Sequence, residues 1–158
     1  MGIILDLQNQ NQIQELKTDN KKLVLAGGCF DILHTGHIEF LKNAKLAGDT
    51  LIVLLENDQR IRKLKGQNRP INSQSDRALV LSNLSMVDFV ICLPTFEKDQ
   101  EYEALVKMIQ PDIIAVTVGN PIFEWERTYI KNVGAEIVEV IKPISDYSTT
   151  NLIKKARI

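Results

Sequence analysis

The chain has two histidines, His34 and His37, with Thr35-Gly36 between them. Gly27-Gly28-Cys29-Phe30-Asp31-Ile32-Leu33 leads into the pair, behind the apolar run Leu23-Val24-Leu25-Ala26. Ile38-Glu39-Phe40-Leu41-Lys42-Asn43-Ala44 follows it with helical periodicity. The pattern is a strand, a glycine-containing turn and a helix start. A helix N-terminus offers free backbone N–H groups and a partial positive charge, which suits a phosphate. Two imidazoles beside it add donors that can follow charge developing on a phosphoryl oxygen. Gly36 permits a close approach to the backbone that a β-carbon would obstruct. The plainer account is a capping histidine and a packed one. Two of them at one strand-to-helix junction favour a phosphate-handling site.

Periodicity supplies the elements that must position this turn. Apolar runs predict strands over residues 22–27, 50–55, 87–93, 112–118 and 135–141. Helical patterns fall at 36–46, 75–85, 101–110, 124–132 and 148–156. Ala47-Gly48-Asp49 ends the first helix, with Gly48 suited to a left-handed C-terminal position. Residues 1–21 read as a helical extension packed on the domain, with Ile13 and Leu16 at helical spacing. The alternation predicts an α/β fold, a Rossmann-like three-layer sandwich with a parallel five-stranded sheet, as a single domain over residues 1–158. Ligands of such sheets sit beyond the carboxyl ends of the strands, at the topological switch point. The histidine motif, Glu56-Asn57-Asp58, Pro94-Thr95 and Gly119-Asn120 occupy those loops.

Bulk properties narrow the partners. A 158-residue chain with 44% hydrophobic and 25% charged residues can bury a substantial core as one domain. A formal net charge of -1 favours neither nucleic acid nor a membrane surface as a partner. The apolar runs are strand-length, too short to span a bilayer, and the first residues lack a signal-peptide pattern. Cys29 and Cys92 are too few and too far apart for a disulfide framework or a zinc site, and Cys92 reads as a small core residue. The expected location is the cytoplasm.

Two common phosphate motifs are absent. The first turn lacks the G-x-G-x-x-G spacing of dinucleotide binding, and no Gly-Lys-Ser or Gly-Lys-Thr opens the helix. A basic stretch follows the second strand, with Arg60, Arg62, Lys63, Lys65 and Arg69 and no acidic residue from Gln59 to Gln74. It reads as a solvated face, or as a loop that brings charge over bound phosphate. Ser148-Thr149-Thr150 can cap the last helix through Ser148 or Thr149, and the same helix start can also take a phosphate. Trp125 reads as a packing residue.

The stretch from Gly28 to His37 resembles the H-x-G-H signature of the cytidylyltransferase-like nucleotidyltransferases. The resemblance continues through Leu46-Ala47-Gly48-Asp49, Leu64-Lys65-Gly66, Arg69-Pro70-Ile71-Asn72, Asp76-Arg77 and Tyr147-Ser148-Thr149-Thr150. Within that superfamily the chain is most similar to the heptose 1-phosphate adenylyltransferase group, the ADP-heptose synthase domain of bifunctional enzymes. The resemblance implies transfer of a nucleoside monophosphate, AMP from ATP in preference to CMP from CTP, to a sugar phosphate with release of pyrophosphate. It implies His34, His37 and Lys65 as catalytic groups. It places nucleotide against Cys29, Phe30, His34, Thr35, Gly36, His37, Lys63, Arg77, Ser148, Thr149 and Thr150. The acceptor falls to Asp31, Asp58, Lys65 and Gly119. Mg²⁺ accompanies the triphosphate with no protein metal ligand assigned, and a homodimer is implied. For Arg77 the alternative is an ion pair with Asp76 or Glu56.

The chain also departs from that group. Val116-Thr117-Val118-Gly119-Asn120 stands where the heptose group usually carries Lys-Gly-Gly-Asp-Tyr, and Glu56 replaces an asparagine. Pro143 stands where the glycerol-3-phosphate cytidylyltransferases have an arginine. Two further readings stay open on these grounds: a CTP-dependent enzyme acting on a polyol phosphate, and a nucleotide-binding module without turnover.

Overall fold

The computed structural model describes residues 1–7, 10–17, 20–122, 124–144 and 148–156, with only the backbone of residues 10, 124 and 125. Six strands, β1 (Ile3–Leu5), β2 (Leu23–Gly28), β3 (Thr50–Leu55), β4 (Phe89–Cys92), β5 (Ile113–Thr117) and β6 (Glu136–Ile141), form one sheet. Its order is β1-β4-β3-β2-β5-β6, and every pairing is parallel. β2 and β3 lie at the centre. Every residue of β3 is buried, as a run covered on both faces requires.

Alternation along the strands sends successive side chains to opposite faces. Leu23, Leu25, Ile52, Leu54 and Ile91 face a layer built from α1 (Gln10–Gln14), α5 (Asp99–Ile109) and α6 (Glu124–Asn132). Val24, Ala26, Leu51, Val53 and Val90 face α2 (Thr35–Leu46) and α4 (Gln74–Ser82), which supply Leu41, Ala44, Ala78 and Leu81. Two further helices, α3 (Asp58–Lys65) and α7 (Thr149–Ala156), lie directly in the chain after β3 and close to the end. The expected parallel α/β sandwich is therefore present.

The sheet has six strands where sequence periodicity showed five. Ile3–Leu5 pairs with Phe89–Ile91 at the edge, inside a segment that reads as helical extension. Three residues are too few to show a period, and the edge of β4 that pairs them is a tertiary feature. The helical part of that reading survives in α1, which buries Ile13. The basic stretch after β3 begins as a helix rather than a loop. Asn57 caps it, its Oδ1 accepting from Arg60 N at 2.8 Å, and Ile61 is its buried residue. A helix with one buried side chain leaves little apolar period to read.

Gly48 is not in the left-handed region, and α2 ends instead on Ala47 at φ -77°. The glycine is required by crowding. A Cβ there would lie 2.7 Å from the Lys22 carbonyl oxygen and 2.6 Å from a Val24 methyl. That carbonyl is itself held by the Asp49 and Thr50 amides at 2.9 and 3.2 Å. Gly48→Ala is therefore expected to destabilise the protein by about 1–3 kcal/mol in urea unfolding. A loss under about 0.5 kcal/mol would show that the β2–α2 contact is looser than drawn.

Candidate active site

The strand order reverses between β2 and β5, and a crevice of about 440 Å³ opens there beyond the strand ends. One wall is the loop from Gly28 to His37. Phe30 sits at φ +44°, a backbone region unusual for a bulky side chain, with its ring buried. A Cβ on Gly28 would come within 2.8 Å of that ring. The ring in turn tilts against His37 with centroids 5.2 Å apart. His34 occupies the N-cap of α2, and its carbonyl accepts from the His37 and Ile38 amides at 2.9 and 3.2 Å. The two imidazoles stack with centroids 3.8 Å apart and planes at 23°. Both Nδ1 atoms are buried without a hydrogen-bond partner among the described residues. Buried side-chain polar atoms without a partner are uncommon.

Burial lowers the pKa of His34, and it lowers that of His37 to about 4. The neighbouring His34 adds to the effect on His37, and a backbone hydrogen bond with Ile32 partly offsets it. Both rings are neutral at pH 7. Each can then donate one hydrogen bond and accept another, and the stack carries no internal repulsion.

Beneath the loop lies a set of buried polar contacts. Arg77 is 2% exposed. Its guanidinium donates to the Cys29 carbonyl, to the Asn72 and Glu56 carbonyls at 3.1 and 2.8 Å, and to Asp58 Oδ1 at 2.8 Å. Asp31 is equally enclosed and accepts from Arg69 Nε at 2.5 Å, Ile71 N at 2.8 Å and Asn72 N at 3.1 Å. Thr149 Oγ1 reaches the Ile32 carbonyl at 3.2 Å, so the start of α7 touches the same loop.

A family model described as cytidylyltransferase-like matches residues 25–155. The chain belongs to the cytidylyltransferase-like family of nucleotidyltransferases. The bifunctional protein HldE of Wolinella succinogenes is 42% identical over 149 residues, covering 92% of this chain and 29% of that protein. HldE of Aliarcobacter butzleri is also 42% identical, covering 85% of this chain and 27% of its own. The chain thus spans about three-tenths of the length of the curated relatives it matches. A lipopolysaccharide core biosynthesis protein from Thermoplasma volcanium superposes with a TM-score of 0.63 at 34% identity, covering 82% of this chain and all of that one. A pantoate–β-alanine ligase from Francisella tularensis shares the fold alone, with a TM-score of 0.60 at 17% identity over 100% of this chain and 80% of its own.

Seen as a cytidylyltransferase-like site, the crevice gathers Cys29, Phe30, His34, Gly36 and His37 from the residues that the sequence nominated. The others lie around it. Thr35 is exposed in the first turn of α2. Lys63 and Lys65 are exposed in the last turn of α3, although the charge of Lys65 still acts on the Cys29 thiol. Burial nonetheless pushes that thiol's pKa up. Ser148 caps α7, its Oγ accepting from Asn151 N at 3.1 Å, while Thr149 is buried and Thr150 exposed. Gly119 forms a turn at φ +74°, and its neighbour Asn120 lines the crevice instead.

Arg77 and Asp31 are enclosed and bound to protein partners, while Asp58 is half-buried and touches Arg77. Neither Asp76 nor the Glu56 carboxylate pairs with Arg77. Asp76 accepts from Ser73 Oγ at 2.5 Å, and the Glu56 carboxylate accepts from the Tyr102 hydroxyl at 3.2 Å. Thr117 and Asn120 line the crevice from the Val116–Asn120 stretch that the sequence marked as a departure, whereas Phe40 and Lys142 are lining residues that sequence reasoning did not single out. Only the placement of β6 beside β5 brings Lys142 to this crevice. Tyr147 and the Trp125 side chain lie outside the described residues.

Removing the guanidinium strands several buried carbonyls. Arg77→Met is expected to cost about 3–5 kcal/mol in urea unfolding, whereas His34→Ala stays within about 1 kcal/mol of the parent. Equal stability of the two variants would refute the scaffold role. For His37 the folded pKa lies below the ordinary 6.5, so the unfolded chain takes the proton first as pH falls. Its contribution is complete above pH 6.5 and is lost towards pH 4, on the order of 3 kcal/mol in all. Proton NMR of the two histidines should show one titrating near pH 4. In His37→Gln the stability loss between pH 7 and pH 4.5 should shrink accordingly.

Proposed function

We propose that this protein transfers AMP from Mg–ATP to a sugar phosphate, best represented by a heptose 1-phosphate, and releases pyrophosphate. The observation that carries the proposal is the stacked His34–His37 pair at the start of α2, both Nδ1 atoms buried and unpartnered among the described residues beside the switch-point crevice. The similarity to HldE proteins and to a lipopolysaccharide core biosynthesis protein favours a carbohydrate acceptor.

In this reading an acceptor phosphate oxygen attacks the α-phosphorus in line. The new P–O bond forms as the α–β bridging bond breaks, and the electron pair leaves on pyrophosphate. No enzyme nucleophile takes part, so the residues contribute position and charge stabilisation. His34 and His37 donate to the α-phosphoryl oxygens as charge builds there, aided by the N-terminus of α2. Among the described residues no group of three or more His, Cys, Asp or Glu could cage a metal ion. Mg²⁺ would be brought in by the nucleoside triphosphate and would supply positive charge against that of the polyphosphate. Lys63 and Lys65 are proposed to reach the polyphosphate from α3, with Gly119 and the half-buried Asp58, whose described partner is Arg77, towards the acceptor. A cytoplasmic homodimer completes the proposal; no helix among the described residues is long and apolar enough to cross a membrane.

A pyrophosphate-release screen of ATP and CTP against sugar 1-phosphates and polyol phosphates tests this reading. ATP with a sugar 1-phosphate should be turned over fastest. His34→Ala and His37→Ala should each lower kcat by about 10²–10³ with the fold intact. Faster release with CTP and a polyol phosphate replaces the substrate assignment. Near-parental turnover in both variants ends the mechanism.

A further inference from the structure

The crevice must hold a polyanion, yet its two imidazoles are neutral at pH 7. Gly27, Gly28 and the start of α2 offer only backbone dipoles. The β5 wall is Ile114, Ala115, Val116, Thr117 and Asn120, without a charge. Among the described residues, Lys142 is the lining side chain with a fixed charge, and no carboxylate lines the crevice. It stands directly after β6, which ends at Ile141 beside β5. Beneath this site Arg77 is fully buried and committed to protein oxygens, and Arg69 is held by Asp31.

We infer that Lys142 is a phosphate contact of the bound nucleotide, supplying from the β6 end the charge that the β5 loop lacks. The inference rests on the nucleotide-binding reading of the crevice, though not on the acceptor's identity. A primary ammonium on an exposed stem can reach into an open crevice and follow a flexible polyphosphate as a point charge. Its neighbours on that rim, Pro143 and Ile144, carry no charge that would compete for it.

Calorimetric titration of the full chain and of Lys142→Met and Lys142→Arg with adenosine, AMP, ADP and ATP tests the assignment. The Met variant should weaken ATP about ten-fold or more while leaving adenosine unchanged, the deficit growing with phosphate number. The Arg variant should recover most of that loss, and raised salt should narrow the gap between parent and Met variant. An equal loss for adenosine and ATP would make Lys142 a nucleoside contact and overturn the assignment. Unchanged ATP affinity in Lys142→Met would overturn it too, with the proposed reaction intact if the parent still releases pyrophosphate. A parent chain that binds no triphosphate sinks both readings, whereas tight binding without turnover sinks only the reaction.

Discussion

The guanidinium of Arg77 reaches carbonyls of Cys29, Glu56 and Asn72 and the carboxylate of Asp58 from one buried position. Those residues belong to the loops after β2 and β3 and to the approach to α4, so one cation ties together three segments distant in sequence. Burying a charge is costly unless its donors are satisfied, and here the chain's own carbonyls satisfy them. The histidine loop consequently rests on a fixed floor. Asp31 repeats the device with opposite sign, an enclosed carboxylate held by Arg69 and two backbone amides. The loop's unusual backbone at Phe30 can persist because the surroundings over-determine it.

That floor shapes the electrostatics above it. The charged groups nearest the motif are spent on structure, and the two histidines facing the crevice are held neutral by burial. Neutral donors and a helix N-terminus stabilise charge that appears during reaction more than charge already present in the ground state, provided they are preorganised. Fixed positive charge stands further out, on the last turn of α3 and after β6. Such a division suits a substrate whose polyphosphate must be attracted, held and then released as pyrophosphate.

Much of this was legible in the residues. The histidine pair behind an apolar run marked the turn, and the alternation of apolar runs with helical periods marked a parallel sheet. Ser148 as the cap of α7 follows from local hydrogen-bonding chemistry. The illegible parts share a cause. β1 is too short to show a period and exists only because β4 offers an edge. α3 buries a single residue and so resembles a charged loop. Gly48 carries a common C-cap signal, yet the contact that requires it comes from Lys22 and Val24, far back in the chain.

By itself, then, the sequence determined the order of the five longer strands, the position of the histidine turn and the family to which the chain belongs, because these depend on local periodicity and short motifs. The tertiary structure alone decided which charges face the crevice and which are buried beneath it. Arg77 and Asp31 belong to the motifs that the sequence nominated, but both are buried and bound to protein partners. Lys142 looks like any surface lysine until the strand order sets β6 beside β5 and brings it to the crevice. Whether an ionisable side chain binds a ligand or a neighbour is settled by which oxygens surround it, and only the folded chain assembles those.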